Sequence, residues 1–408
     1  MSEAEHGTIP NQAPPSIKMP RGVIALGLVS LFMDVSSELI HSVLPLFLTS
    51  LLGVSALWVG IVEGIAESTA AIVKIFSGAI SDFIGKRKPL LLLGYGLALL
   101  TRPLFPLSQG FGTILFARFV DRIGKGIRVA PRDALLADIT PKEIRGAAYG
   151  LRQSMDTVGA FLGPILAMLI MLGSHNNFRL VFWLALLPAL LVVLIIWLAI
   201  DEPAPKADPV RRPFPLRRDQ LSRLSPAFWS VTVLSSFLTL ARFSDAFLIL
   251  RGDSIHLPAA YAPTILIVMN AVYALAAWPA GILSDRIGKR RLLTLGIAVL
   301  IVADLLLAWG DSIPSVFLGA SLWGLHMGLS QGILTALIAD EAPAELRGTA
   351  FGMYNLLSGG ALLLASVIAG YLWKQHGPLL TFSAGAAFST IALVGFLLRG
   401  NRSSLPRS

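Results

Sequence analysis

One segment of the chain carries five cationic side chains among apolar neighbours. Arg118, Arg122, Lys125 and Arg132 follow one another at steps of four, three and seven residues, and Arg128 stands beside them. In a helix that advances about 100° per residue, the first four share an arc of roughly 80°. Guanidinium and ammonium groups on one face bind carboxylates or phosphates. The spacing therefore predicts a wall that binds an anion or faces internal acids.

Acidic side chains recur in other apolar segments at spacings that also select one helical face. Asp34, Glu38 and His41 stand at steps of four and three residues, and Arg152 and Asp156 are four residues apart. An ionisable group inside a membrane is costly and is expected to serve a proton, a substrate or a partner charge. We predict that Asp34, Glu38 and Asp156 carry protons. The alternative is a set of buried ion pairs that only fixes the helix positions.

The composition places these segments in a membrane. Of the 408 residues, 55% are hydrophobic and only 14% are charged, with a mean hydropathy of +0.72. A soluble chain carries about 25% charged residues. The net charge of +9 resides mainly in the connections between apolar segments, which argues against a nucleic-acid partner. The chain has no cysteine, so disulfides and thiolate chemistry are excluded.

Twelve apolar segments are long enough to cross a bilayer, which takes about 20 residues. We predict them at 22–48, 58–80, 89–108, 113–138, 146–172, 179–200, 227–250, 259–283, 291–309, 314–338, 348–372 and 379–399. Alternate connections are rich in Lys and Arg, and such connections face the cytoplasm. Arg102, Arg179 and Arg251 are assigned to the sparser connections on the opposite side.

The spans fall into two halves of six around a segment rich in Pro and Arg. We predict a polar N-terminal tail at 1–21 without a signal peptide, a first half at 22–200, a cytoplasmic linker at 201–226, a second half at 227–399 and a cytoplasmic tail at 400–408. Both termini are therefore expected in the cytoplasm.

Two motifs are each written twice along the chain. GAISDFIGKRKPLLLLG at 78–94 returns as GILSDRIGKRRLLTLG at 281–296, and ALLADITPKEIRGAAYG at 134–150 returns as ALIADEAPAELRGTAFG at 336–352. The two matches have nearly the same offset, which indicates that the chain is a duplicated half. Duplicated membrane halves with a site between them are typical of secondary transporters.

The first duplicated motif resembles a known signature. GAISDFIGKRK at 78–88 is similar to the signature between the second and third helices of the major facilitator superfamily, and GILSDRIGKRR at 281–291 resembles its second copy. The resemblance implies an all-α membrane fold of twelve transmembrane helices in two six-helix halves. It also implies a cytoplasmic latch, or gate, formed by Asp82, Arg87, Asp285 and Arg290.

Two further resemblances concern the fourth and fifth spans. Gly150 and Gly159 precede GPILAM at 163–168 with the spacing of the family's antiporter motif, although the final glycine pair of that motif is Ala-Met here. Arg118 and Gly124 match the family's arginine and glycine in the fourth helix. DVSSE at 34–38 and DRIGKGIRVAPRDAL at 121–135 resemble a subgroup of bacterial permeases. The resemblance of the fifth span to the antiporter motif implies proton-driven export.

The expected function is proton-coupled efflux of a small anionic or amphiphilic molecule by alternating access, by a monomer in the inner (plasma) membrane with lipid around it. The candidate substrate-binding residues are Arg118, Arg122, Lys125, Arg128, Arg242 and His326. The sequence shows no phosphate-cradling loop and no metal-ligand cluster, so we expect neither a cofactor nor a metal.

Three alternatives remain open at this point. One is a proton symporter that imports an organic acid or a metal chelate. The second is a membrane-embedded enzyme or a lipid flippase, and against the enzyme stands the lack of a nucleophile–base arrangement. The third is a receptor that does not transport, against which stand the intact motifs in both halves.

Overall fold

The computed structural model describes residues 19–84, 86–202, 221–343 and 346–402, without the side chains of residues 79, 82, 142, 285 and 399–402. Every regular element within these ranges is helical. The Asp82 and Asp285 side chains of the predicted latch therefore lie outside the described part, as do most of the predicted linker and most of both tails.

Twelve helical stretches follow one another, and we label them α1 to α12. The first six are α1 Arg21–His41, α2 Ala56–Ile84, α3 Lys88–Thr101, α4 Phe111–Ile139, α5 Arg145–Gly173, and α6, which comprises Phe178–Leu184 and Leu186–Ala199. The last six are α7, which comprises Pro226–Ala241 and Ala246–Ser254, then α8 Pro263–Ile287, α9 Lys289–Trp309, α10 Ile313–Glu341, α11 at 347–376 and α12 at 378–402.

Ten stretches of the described helices are long and apolar enough to span a membrane. Helix α4 is not among them, although it is 29 residues long, because it carries many charges. Helices α11 and α12 count as one stretch because helical hydrogen bonding runs past Gly377, where φ is 70° and ψ is −161°. This left-handed φ suits glycine, and Pro378 begins the next helix. Each of the twelve predicted segments thus corresponds to a described helix.

Helix α7 is broken in the middle, and the break helps to build the site. The helix ends at Ala241 and resumes at Ala246, so the four residues at 242–245 form an irregular joint. Irregular backbone at membrane depth is tolerated where it is buried in protein or lines a cavity. All four joint residues line the central cavity described below. The break therefore brings Arg242 and Asp245 to the centre of the bundle.

Opposite ends of the bundle differ in charge. We call the end at which α2 gives way to α3 the basic end, and the other end the far end. At the basic end Arg87 Nε lies 3.6 Å from Asp138 Oδ2, and Lys289 Nζ lies 2.6 Å from Asp340 Oδ2. In both copies a base from the first duplicated motif thus meets the aspartate of the second motif.

Arg87 has further partners among the first six helices. Its side chain donates a hydrogen bond to Ser81, and its backbone N–H donates to Glu202 Oε1 at 2.6 Å. The end of α2 is thereby tied to the ends of α4 and α6. The latch formed by Arg87 with Asp82, and by Arg290 with Asp285, stays a prediction.

The far end is closed by contacts between the first six and the last six helices. The short helix Leu44–Leu46 after α1 packs against the second part of α7, and Ala259–Tyr261 packs against α5. Helix α2 meets α11 so closely that a Cβ added to Gly370 would lie 2.7 Å from the Ala56 carbonyl oxygen. Glycine permits such close approach of two membrane helices.

We predict that Gly94→Ala destabilises the protein, whereas Gly96→Ala on the same helix does not. A Cβ at Gly94 would lie 2.7 Å from both Gly124 O and Arg128 Cβ, while a Cβ at Gly96 meets nothing within 4 Å. Overpacking of this kind costs about 1–3 kcal/mol. Thermal unfolding in one detergent measures both variants, and equal midpoints would contradict the prediction.

Candidate functional site

A cavity of about 300 Å³ lies at the centre of the bundle, between the first six and the last six helices. Its wall from the first six helices is charged and includes Asp34, Glu38, Glu67, Arg122, Lys125 and Arg128. Its wall from the last six helices combines Arg242, Ser244 and Asp245 of the α7 joint with the apolar Phe243, Trp323, Met327 and Leu362. The first six helices therefore supply most of the charge of the cavity, and the last six supply its aromatic surface.

The charged groups form three layers, and the layer nearest the far end joins four helices. Arg118 Nη2 of α4 donates to both carboxylate oxygens of Glu63 on α2, at 2.7 and 2.6 Å. The same nitrogen lies 3.3 Å from His41 Nδ1, and His41 Nε2 lies 2.9 Å from Asp245 Oδ1. Arg118 is buried and does not line the cavity. Its charge is used within the protein.

The middle layer contains both a paired cation and unpaired ones. Arg122 Nη1 lies 3.0 Å from Glu67 Oε1, whose side chain is partly exposed in the cavity. Lys125 and Arg242 line the cavity from α4 and from the α7 joint. Among the described residues, neither side chain forms a hydrogen bond or an ion pair. Cations without partners in a concave site attract anions.

The layer nearest the basic end is a network around Asp156 of α5. This carboxylate lies 3.8 Å from Arg132 Nη1 and 3.7 Å from Arg152 Nη1, which confirms the contact expected four residues apart on α5. The Asp34 and Asp156 carboxyl groups face each other between α1 and α5. A Cβ added to Gly159 would lie 2.9 Å from Asp34 Cβ, so this glycine of the antiporter-like motif lets the two helices meet at the acid pair.

Arg128 and Glu38 complete the cavity wall. The Arg128 guanidinium carbon lies 4.8 Å from the centroid of the Tyr95 ring, a cation–π geometry. Its buried Nη1 has no hydrogen-bond partner among the atoms described. Glu38 lines the cavity from α1 close to Gly163 of α5. The structure thus brings Asp34, Glu38, Asp156 and most of the predicted cations into one region.

Comparison with known proteins identifies this arrangement. The family model of the Major Facilitator Superfamily matches residues 26–361 and 245–408. The chain belongs to the major facilitator superfamily. An uncharacterised transporter of this superfamily from Methanocaldococcus jannaschii is 32% identical over 388 residues, which cover 93% of this chain and 95% of the relative. Membership makes the protein a multi-pass secondary transporter and not an enzyme, as the duplicated motifs predicted.

A second relative and a solved structure agree with the assignment. The inner membrane transport protein YajR of Escherichia coli is 26% identical over 398 residues, with 91% of this chain and 80% of that protein covered. A crystal structure of a mutant of the nucleoside transporter NupG superposes with a TM-score of 0.79 at 13% identity, and it covers 92% of this chain and 99% of that chain. The latter likeness shows the facilitator fold alone.

Two positions differ from the sequence-based expectation. His326 does not reach the cavity: it is fully buried, with Nδ1 2.8 Å from the Gly296 carbonyl oxygen. Helix α10 turns Trp323 and Met327 to the cavity instead, because His326 faces α9. Arg102 does follow α3 directly, at the start of the outer connection, but its side chain turns into the bundle and is buried, with Nη1 3.4 Å from Asp121 Oδ1.

Glu63 and Glu67 are the site residues that the predicted set lacked. They stand four residues apart on α2 and therefore share one face of that helix. The spacing of four residues was the sequence signal that could have identified them. It did not tell which helix the two glutamates face, and the structure shows that their partners are Arg118 and Arg122 of α4.

Two further cavities adjoin the central one. A cavity of about 410 Å³ shares Glu67, Lys125 and Arg242 with it and reaches Lys74 and Asn355, towards the basic end. Another, of about 360 Å³, shares Asp34 and lies between α5 and α8, where Asp156 and Tyr273 line it. The central site is thus continued towards the basic end, while contacts between the two sets of helices close the far end.

We predict that Glu63→Gln strongly destabilises the protein because it leaves the buried Arg118 guanidinium without its carboxylate. Removing one partner of a buried pair costs about 3–5 kcal/mol. The double variant Glu63→Gln/Arg118→Gln should lose less than the sum of the two single variants. The free energies of unfolding in detergent, with Glu143→Gln at an exposed site as control, measure this. Additive losses would contradict a direct pair.

Proposed function

We propose that the protein is a proton-coupled exporter of small amphiphilic anions that works by alternating access. The observation that carries the proposal is the central cavity, in which Lys125 and Arg242, unpaired among the described residues, lie beside an aromatic surface. The two sets of six helices are proposed to rock about this site, as a monomer. Export rests on the antiporter-like glycines of α5, which pack against α1 at Asp34 and Glu38.

The cargo class follows from what each face of the cavity lacks. Lys125 and Arg242 need an anion, because a desolvated cation without a partner is costly. Trp323 and Phe243 offer an apolar surface whose burial by an organic group is favourable. A molecule with one anionic group and one aromatic or aliphatic body satisfies both faces. A purely cationic molecule would meet Lys125 and Arg242 and be repelled.

The proton site is proposed at Asp34 and Asp156. Two carboxylates that face each other repel when both are ionised, and one bound proton removes that repulsion. Both groups line the cavity between α5 and α8, where the first six helices face the last six. Binding or loss of a proton there changes the charge between two surfaces that must move relative to each other.

One observation favours the alternative of symport. Glu38 lies in the central cavity with Lys125 and Arg122, and its charge interacts with both cations. A proton on Glu38 would strengthen the attraction of these cations for an anion, so that proton and cargo would bind together. Vesicles with an imposed pH gradient distinguish the two candidates, because an antiporter moves cargo against the proton flow and a symporter moves it with the flow.

The proposed location is the inner membrane, with the basic end and both termini in the cytoplasm. The distribution of Lys and Arg supports this orientation, and a relative from the inner membrane of Escherichia coli supports the compartment. In that orientation the structure would be open to the cytoplasm and closed to the outside.

We predict that the site prefers an aryl carboxylate to its amide and to the corresponding amine. Lys125→Gln and Arg242→Gln should each weaken carboxylate binding about tenfold, which is about 1.4 kcal/mol, and leave amide binding unchanged. Lys125→Arg should retain most of the affinity. Ligand-induced thermal stabilisation measures all three compounds. The exposed Lys374→Gln is the control, and a preference for the amine would contradict the prediction.

We predict that Asp34→Asn abolishes cargo accumulation driven by a pH gradient but still permits exchange of cargo across the membrane. The neutral side chain keeps the size of the carboxyl group and cannot release a proton. Transport in proteoliposomes, with and without a gradient, separates the two activities, and Asp253→Asn at the far end is the control. Full gradient dependence in both Asp34→Asn and Asp156→Asn would place the proton site elsewhere.

A further inference from the structure

His41 connects the first six helices to the last six through a side-chain hydrogen bond. Its Nε2 lies 2.9 Å from Asp245 Oδ1, and the two residues belong to the end of α1 and to the joint of α7. The connection lies towards the far end, next to the packing of Leu44–Leu46 against the second part of α7. Opening the far end requires α1 to move away from α7. The bond between His41 and Asp245 must then break.

Asp245 depends on this bond. The two nearby glutamates of α2 have arginine partners, since Glu63 pairs with Arg118 and Glu67 with Arg122. Asp245 lines the cavity, and among the side chains described its carboxylate has only His41 as a partner. Separation of the two residues therefore leaves this carboxylate without a counter-charge, which opposes opening of the far end.

The two nitrogens of His41 make the strength of this bond dependent on a proton. In a neutral ring, Nδ1 would accept from Arg118 Nη2, which lies 3.3 Å away, and Nε2–H would donate to Asp245. A second proton would turn Nδ1 into a donor, and Glu63 Oε2 lies 3.8 Å away. The imidazolium would then attract carboxylates of both sets of helices, and its bond to Asp245 would become an ion pair.

Carboxylates lie on both sides of the His41 ring. Asp245 Oδ1 lies 2.9 Å from Nε2 and Glu63 Oε2 lies 3.8 Å from Nδ1. The other charged groups that face the ring or share its cavity wall are Glu38 of α1, Glu67 of α2, and Arg118, Arg122 and Lys125 of α4. A carboxylate at each nitrogen favours a proton on both.

We propose that His41 and Asp245 form the contact that closes the cavity at the far end, and that a proton bound to His41 holds this contact closed. The inference rests on the alternating access of the proposed function. It is independent of the cargo and of the Asp34–Asp156 pair. Loss of the proton would weaken the contact and release the far end, which is the step that an exporter needs after its proton has left.

The absence of cysteine makes a single-cysteine reporter possible in the full chain. Leu362→Cys places a thiol on the apolar wall shared by the central cavity and its neighbour towards the basic end. Sealed vesicles of both orientations are treated with a membrane-impermeant maleimide, and the labelling rate from each face is measured. Labelling from the face of the basic end reports a folded protein with an open cavity.

We expect His41→Phe and Asp245→Asn each to raise labelling from the far face several-fold in this background. The double variant should exceed neither, because both changes remove the same contact. His376→Gln, at an exposed histidine that ends α11, is the matched control and should label at the parent rate. Parent-like far-face labelling in both single variants would overturn the closing contact.

The proton is tested with His41→Gln, which keeps a hydrogen-bond donor but cannot take up a second proton. The ratio of far-face to basic-face labelling cancels the rise of thiol reactivity with pH. Between about pH 6 and pH 9 this ratio should rise with pH in the parent and should not change in His41→Gln. The proton's role is overturned by a pH-independent parent or by an unchanged pH dependence in His41→Gln. Transport assays test alternating access separately. If the His41 and Asp245 variants transport normally and their far-face labelling equals that of the parent, the closing contact is rejected and alternating access is not.

Discussion

The structure depends on how the cations of α4 are neutralised. Five basic side chains on one membrane helix would be prohibitively costly against lipid, so α4 must lie where carboxylates or water can reach it. Glu63 and Glu67 of α2, together with Asp156 of α5, meet this requirement through ion pairs with Arg118, Arg122 and Arg132 respectively. Packing of α2 and α5 beside the cavity is thus constrained by charge as well as by apolar contact.

Incomplete neutralisation is what leaves a site for cargo. Once the pairs of the first six helices are made, Lys125 has no partner in the described part of the chain, and the α7 joint adds Arg242 from the other side. The last six helices contribute rings beside Arg242 and Asp245, and Trp323 and Phe243 pack against each other with centroids 5.4 Å apart. One half of the wall therefore supplies charge and the other supplies apolar surface, and a transported molecule completes both.

The duplication of the chain is preserved at the basic end and lost at the centre. The pairs Arg87–Asp138 and Lys289–Asp340 join corresponding motifs in the two copies. At the centre, Glu63 and Arg118 have no ionic counterpart among the described residues of the last six helices. The Glu63–Arg118 pair is connected to the last six helices through His41, which bonds to Asp245. Similar ends suit two bodies that move against each other, whereas a cargo site and a proton site require different chemistry on the two sides.

The sequence by itself determined the twelve helices, the shared face of the α4 cations, the duplication and the superfamily, because each is a matter of periodicity, length or motif along one chain. Only the tertiary structure decided that Glu63 and Glu67 are the partners of α4, that Arg102 is buried beside Asp121, and that His326 faces α9. Helical spacing tells which residues share a face but not which neighbour that face meets. The polar residues of a helix such as α10 do not gather on one face, so no amphipathic pattern sets its rotation. Only packing against its neighbours decides which of its side chains reach the cavity.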